Sequence, residues 1–204
     1  LRQGVAIGIM CYAFAAFIDK KVLKFILLIA FAAGFHTSAI VFLPLFLFIK
    51  GEYSLRKIIL GAFIEIPLLG IMWLSSYGES QANSYIGSGY DAEAAIFRSG
   101  ILALSAVAFF LFYQKQWKKN YPIDHNLVMV GSLAMIANFF LVFLSTVISD
   151  RLGYYLIPIQ ALFFARVPFF ENTKFRLFFV SAPYIGLLFV FIVWAILSSH
   201  FQGC

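Results

Sequence analysis

Long apolar runs, broken at intervals by lysine-rich clusters, constrain this chain more than any single residue does. The runs fall at 4–18, 22–34, 38–49, 58–77, 97–113, 127–148, 152–169 and 176–197. Between them lie four basic clusters, Lys20/Lys21/Lys24, Lys50/Arg56/Lys57, Lys115/Lys118/Lys119 and Lys174/Arg176. A helix that crosses hydrocarbon needs roughly 20 apolar residues, and every backbone polar group inside the bilayer must be paired within the segment. The runs lack the apolar/polar alternation of a transmembrane β-barrel. The expected fold class is therefore all-α, a polytopic transmembrane helix bundle of about seven or eight membrane helices. Composition agrees, because 63% hydrophobic and 12% charged over 204 residues is more apolar surface than a soluble core of that size hides.

The net charge of +6 does not point to nucleic acid, since the basic residues sit in short clusters between spans. That is the distribution that sets membrane topology, with lysine and arginine held on the cytoplasmic side. Cys11 lies inside an apolar run and Cys204 is the last residue, which argues for neither a disulfide framework nor a metal site. Three scattered histidines offer no ligand pair at helical spacing, so no metal is expected, and with no phosphate-cradling glycine motif no cofactor is expected either. The chain starts at Leu1 in residues that are already membrane-like, and is read as the later part of a longer protein. One transmembrane domain over 1–204 is expected, with an extended polar loop at about 77–98.

Charge parity decides how the run Phe25–Ile49 folds. A single tilted helix would place its two basic flanks on opposite sides of the membrane. Two short arms that break at Gly34–Ser38 and return keep both flanks on one side, giving a re-entrant-like pair at 22–49. Gly34 tolerates the turn, and Thr37 or Ser38 is expected to cap the second arm. His36 then sits at the apex, an ionisable group in an apolar stretch, where polar groups survive by lining a cavity or by bonding a neighbouring carbonyl.

The same parity places Arg2, Gln3, the 77–98 loop with Asp91, Glu93 and Arg98, and the turn Ser149-Asp150-Arg151 on the outer side with His36. Arginines on that side run against the topology rule. A guanidinium grips phosphate or carboxylate oxygens with two parallel bonds, so Arg2, Arg98 and Arg151 suit an anionic head group. The competing reading is local ion pairing, Arg151 with Asp150 and Arg98 with Glu93. His36 serves either as a general base for a sugar hydroxyl or as a positioning donor, with Asp91, Glu93 and Asp150 as alternative bases. Tyr154 and Tyr155 stack on sugar rings or belong to an interfacial aromatic belt. Glu65, the one carboxylate deep in a span, is read as a satisfied structural acid ahead of an ion-coupling one.

In order along the chain, Arg2-Gln3-Gly-Val-Ala, Phe35-His36-Thr37-Ser38-Ala before Leu43-Pro44, and Asp150-Arg151-Leu-Gly-Tyr154-Tyr155 resemble the EpsG/Wzy-type family. Its members are repeat-unit polymerases of bacterial exopolysaccharide, capsule and O-antigen. The resemblance implies a GT-C-like, metal-independent membrane glycosyltransferase in the bacterial inner membrane, multi-pass, with its active face periplasmic or extracellular. Such an enzyme moves a glycan from undecaprenyl pyrophosphate onto a lipid-linked repeat unit. Its implied partners are that lipid-linked oligosaccharide, membrane lipid, and a chain-length regulator and flippase of the same pathway. By motif, Arg2 and Gln3 match the family's Arg-Gln, His36 and Ser38 its His-x-Ser, and Arg151 with Tyr155 its late arginine-aromatic pair. The expected catalytic residues are His36, Arg151 and Arg2. Gln3, Ser38, Arg98, Asp91, Tyr154 and Tyr155 are the expected substrate contacts. A lipid-linked oligosaccharide flippase and a membrane O-acyltransferase are the rival readings; a flippase would spread polar residues through the membrane depth.

Overall fold

The computed structural model describes residues 2–50, 54–57, 59–61, 63, 64, 67, 95–170 and 176–197. Among these the chain is helical with no strand, as expected. Glu65, Asp91, Glu93 and most of the 58–77 run and the 77–98 loop lie outside the described residues.

Helix α1 (Arg2–Ile18) buries Ala6, Met10, Ala13, Phe14 and Phe17, a spacing of three and four that puts one stripe against the next helix. That neighbour is α2 (Val22–Phe35), whose stripe is Phe25, Ile29 and Ala32. The turn between them closes with Lys20 N–H donating to Phe17 O at 3.0 Å and Lys21 N–H to Ala16 O at 2.9 Å. This is a Schellman ending, and its left-handed position is filled by Lys20 at φ 60° rather than by glycine.

After α2 the backbone extends at His36 (φ −150°, ψ 111°) and reverses into a 3₁₀ helix over Thr37–Phe48. The pair expected at 22–49 is therefore present. A 3₁₀ helix rises about 2.0 Å per residue against about 1.5 Å for an α-helix. Its 12 residues thus reach as deep as the 14 of α2. The expected cap is corrected: the N-cap position is His36, and no side chain caps this end. Neither Thr37 nor Ser38 occupies the capping position, because the chain enters the helix one residue earlier.

Helix α3 (Ala95–Ala108) passes through one π-helical turn, Phe109–Tyr113, into α4 (Gln114–Asn120). Helix α5 (His125–Leu141) returns, and α6 (Thr146–Arg166) follows it, ending in a 3₁₀ turn at Val167–Phe169. Helix α7 (Arg176–Leu197) is the last described element. Among the described residues two helices are long and apolar enough to cross a membrane, Ala95–Asn120 and Ile148–Phe169.

The apolar run 127–148 breaks before its expected end. Turn bonds at Val142, Phe143 and Leu144 close α5, and Ser145 Oγ accepts from Ile148 N–H at 3.3 Å to start α6. Ser149-Asp150-Arg151 is accordingly the opening of a helix, not a turn. Inside the bundle Gly131 of α5 lets α6 approach so closely that a Cβ there would stand 2.6 Å from Ile159 Cγ2.

Helices α3 and α6 run parallel, joined near their starts by Ser99 to Ser149 and further along by Ser105 to Gln160. At the far end, Asp124 is 1% exposed, accepts from Trp117 Nε1 at 2.8 Å and pairs with Arg166 at 2.5 Å. Arg166 also lies 4.1 Å over the Tyr121 ring. Asn126 Nδ2 donates to Phe48 O at 3.3 Å, which brings the end of the 3₁₀ helix to this same lysine-bearing end of the bundle.

Candidate functional site

The opposite end of the bundle gathers residues from α1, the 36–37 corner, α3 and α6. Gln3 reaches it because α1 starts there, and its Nε2 donates to the backbone carbonyl of Arg151 at 3.2 Å. His36 reaches it because the α2–3₁₀ pair turns there. Tyr155 of α6 fills the inside of that corner, its ring 6.2 Å from His36 and 5.4 Å from Phe42.

Tyr155 is fully buried, and among the described residues neither its hydroxyl nor His36 Nδ1 has a hydrogen-bond partner. A buried polar group without a partner costs about 1–3 kcal/mol, so two of them at one corner mark a place where a ligand or ordered water belongs. Partial burial pushes the His36 imidazole below its ordinary value of 6.5, and the positive charge of Arg151 pushes the same way. Neutral imidazole, able to accept a proton, is the form this corner favours at neutral pH.

A second polar group lies on another flank of α6. Arg98 pairs with Asp150, Nη2 to Oδ1 at 2.6 Å and Nε to Oδ1 at 2.7 Å, and stands 5.3 Å from the centroid of Tyr154. Asp150, weighed from the sequence as a partner of Arg151, thus pairs with Arg98 across 52 residues, while Glu93, weighed as the partner of Arg98, lies outside the described residues. Asp150 serves Arg98, which leaves the carboxylate next in sequence to Arg151 committed elsewhere.

The sequence-derived residues divide as follows. Gln3, His36, Arg151 and Tyr155 come together, and Arg98, Asp150 and Tyr154 form the neighbouring cluster. Arg2 opens α1 beside Gln3 with its side chain exposed, and Ser38 is half-buried in the first turn of the 3₁₀ helix. Asp91 lies outside the described residues. Among the described residues no group of three or more His, Cys, Asp or Glu converges as a metal set.

Sequence reasoning missed the buried polar ladder between α3, α5 and α6. Asn138 Nδ2 donates to Ser99 Oγ at 3.2 Å, Ser99 and Ser149 hydroxyls meet at 2.8 Å, and Ser149 Oγ donates to Asn138 O at 2.9 Å. Deeper, Gln160 Nε2 donates to Ser105 Oγ at 2.7 Å. Small hydroxyl residues inside apolar runs are the signal for such contacts between membrane helices. Apart from Asn138 Oδ1, which has no partner among the described residues, their bonds go to one another and to nearby carbonyls, which makes the ladder interhelical glue directly beneath the Arg98–Asp150 pair.

No curated protein and no solved structure matches the chain. The EpsG family model matches residues 1–203, essentially the whole chain. On that match, and with its apolar helices arranged as described, this chain is a helical membrane protein that belongs to the EpsG family.

Proposed function

We propose that the chain polymerises lipid-linked oligosaccharide repeat units, and that the corner formed by Gln3, His36, Arg151 and Tyr155 is where the transfer occurs. Membership of the EpsG family supports a polysaccharide-polymerase role in general. The observation that carries the site is the meeting of three separate segments at two buried, unpartnered polar atoms beside an arginine. The working fold is a single domain of seven or eight membrane helices in the bacterial inner membrane, with this corner on the outer face. Flippase and chain-length regulator act before and after it.

In the reaction, the acceptor hydroxyl oxygen attacks the anomeric carbon of the donor glycan. The new glycosidic bond forms as the bond from that carbon to the pyrophosphate oxygen breaks, and undecaprenyl pyrophosphate leaves with the bonding electrons. His36 takes the hydroxyl proton and returns it to water. Arg151 holds the phosphate oxygens as charge builds on them, helped by Arg2 at the rim. Tyr155 and Ser38 orient the sugar, and Gln3 fixes the start of α6 so that Arg151 keeps its aim. Arg98 and Tyr154 contact the substrate from the flank, and Asp91 is a further substrate contact.

The transporter reading gains little from the ladder, since the hydroxyl and amide donors at membrane depth are taken up by neighbouring side chains and carbonyls. The test is whether purified, reconstituted full-length protein converts lipid-linked repeat units to a ladder of longer glycans. A polymer ladder with release of undecaprenyl pyrophosphate supports the proposal, and translocation of unchanged repeat units contradicts it.

A further inference from the structure

Helix α6 separates two apolar grooves that share one of its edges. The first, about 330 Å³, lies between α3, α6 and α7 and is walled by Ile101, Leu102, Phe164 and Tyr184. The second, about 710 Å³, lies between α1 and α6 and is walled by Ile7, Cys11, Phe14, Pro158 and Leu162. Tyr154, Ile157, Ala161 and Ala165 border both. From Tyr154 to Ala165 this ridge runs for about 16 Å at helical rise, over half of the roughly 30 Å of hydrocarbon in a bilayer.

Each groove has an arginine-bearing cluster at the same end. Arg98 and Asp150 line the start of the α3 groove. Arg151 lies one turn before Tyr154, and Gln3 one turn before Ile7, at the start of the α1 groove. Gln160 and Ser99 in the wall of the α3 groove are satisfied, Gln160 by Ser105 and the carbonyl of Ile101 and Ser99 by Ser149 and Asn138, so below its mouth that wall is largely apolar. An arginine fork at the mouth of an apolar trough, paired with Asp150 in the α3 groove, is complementary to a phosphate head on a long hydrocarbon chain.

Building on the polymerase reading, which requires two lipid-linked molecules at once, we infer that the two grooves hold the polyprenyl chains of the two substrates side by side. Helix α6 is the partition, and Tyr154 stands at the fork. The chain in the α1 groove places its head beside Arg151 and His36, and so belongs to the pyrophosphate that leaves. The chain in the α3 groove places its head beside Arg98 and belongs to the acceptor. Arg98 binds that head by exchanging part of its contact with Asp150. The small side chains of Ala161 and Ala165 leave room for both chains to pass the ridge.

The experiment uses full-length protein in phosphatidylglycerol/phosphatidylethanolamine nanodiscs with two probes, polyprenyl phosphate and phosphatidylglycerol, each carrying a photoactivated diazirine on its hydrocarbon. Peptide mapping of the cross-links gives the answer. The expected result is polyprenyl labelling both near Cys11 and Ala15, which line the α1 groove, and near Ile101 and Tyr184 of the α3 groove, displaced by unlabelled polyprenyl phosphate. Ala15→Trp should lower the first set about tenfold and leave the second, and Ile101→Trp should do the reverse. Labelling in one groove only overturns the inference, as does equal labelling by phosphatidylglycerol that polyprenyl phosphate does not displace. If a tryptophan variant fails to fold, the unsubstituted protein still decides between these outcomes. No sugar is present, so filled grooves in a protein that makes no polymer would sink the polymerase reading alone, and polymer made with empty grooves would sink this inference alone.

Discussion

The side-chain amide of Gln3 donates to the main-chain carbonyl of Arg151, 148 residues later, at 3.2 Å. The bond ties the first turn of α1 to the second turn of α6 and engages the main chain of Arg151 rather than its guanidinium. If the guanidinium holds a pyrophosphate, geometry matters as much as charge. Arg151→Ala should lower the rate of polymerisation by about 10²–10³-fold, the usual cost of losing one group that stabilises developing charge. Arg151→Lys keeps the charge but loses the planar fork, and should recover only part of the activity. Initial rates on a defined lipid-linked repeat unit measure both. Gln3→Leu should cost less, with the loss falling mainly in the rate, because the arginine is mis-aimed rather than removed.

His36 predicts a pH dependence with a definite sign. Burial first, and Arg151 second, hold its pKa below 6.5. Well above pH 6.5 the imidazole is neutral in both folded and unfolded chains and contributes nothing to a pH slope. As pH falls below 6.5 the unfolded chain takes up the proton first, so stability is lost down to the folded value. The acid limb of kcat/KM should therefore lie below 6.5 and vanish in His36→Gln. A limb that persists in His36→Gln would assign the base to another residue and leave His36 a positioning donor.

Arg98 and Asp150 are partly exposed, at 33% and 17% of their side chains, so solvent screens their attraction. A double-mutant cycle with Arg98→Met and Asp150→Asn should give a coupling of about 1 kcal/mol in detergent melts. Each single variant should cost more than the double, since each leaves a charge without its partner.

Two backbone positions predict opposite effects. Lys20 occupies a left-handed conformation at φ 60°, so Lys20→Gly should raise stability by about 0.5–1 kcal/mol. Gly131 sits against Ile159, and Gly131→Ala should lower stability by about 1–3 kcal/mol despite the better helix propensity of alanine. Ile159→Val should partly rescue it. Thermal unfolding of the four proteins checks both.

The fold was legible where charge and hydropathy act together. The lysine clusters required the 22–49 pair to turn back, and it does so at His36 because that lets both arms bury their apolar faces against α1 and α6. The break near Leu144 was hidden, since Val-Phe-Leu-Ser-Thr holds no glycine or proline and its signal is one serine cap. The 3₁₀ geometry of the second arm was also invisible, for hydropathy reports only that the residues are apolar. For the site, the gathering of Gln3, His36, Arg151 and Tyr155 at one end followed from parity. The partner of Asp150 did not, because a contact between Arg98 and Asp150 depends on α3 and α6 running parallel, which no local pattern reveals.

The central claim, that this corner carries out the transfer, is tested most directly by surface glycan length in a strain lacking its polymerase. The strain would be complemented with the full-length protein or with its His36→Ala or Arg151→Ala variant, each confirmed in the membrane at equal abundance. The account predicts a full ladder from the unsubstituted protein and glycans of a single repeat unit on the outer surface from either variant. A normal ladder from both variants would contradict it.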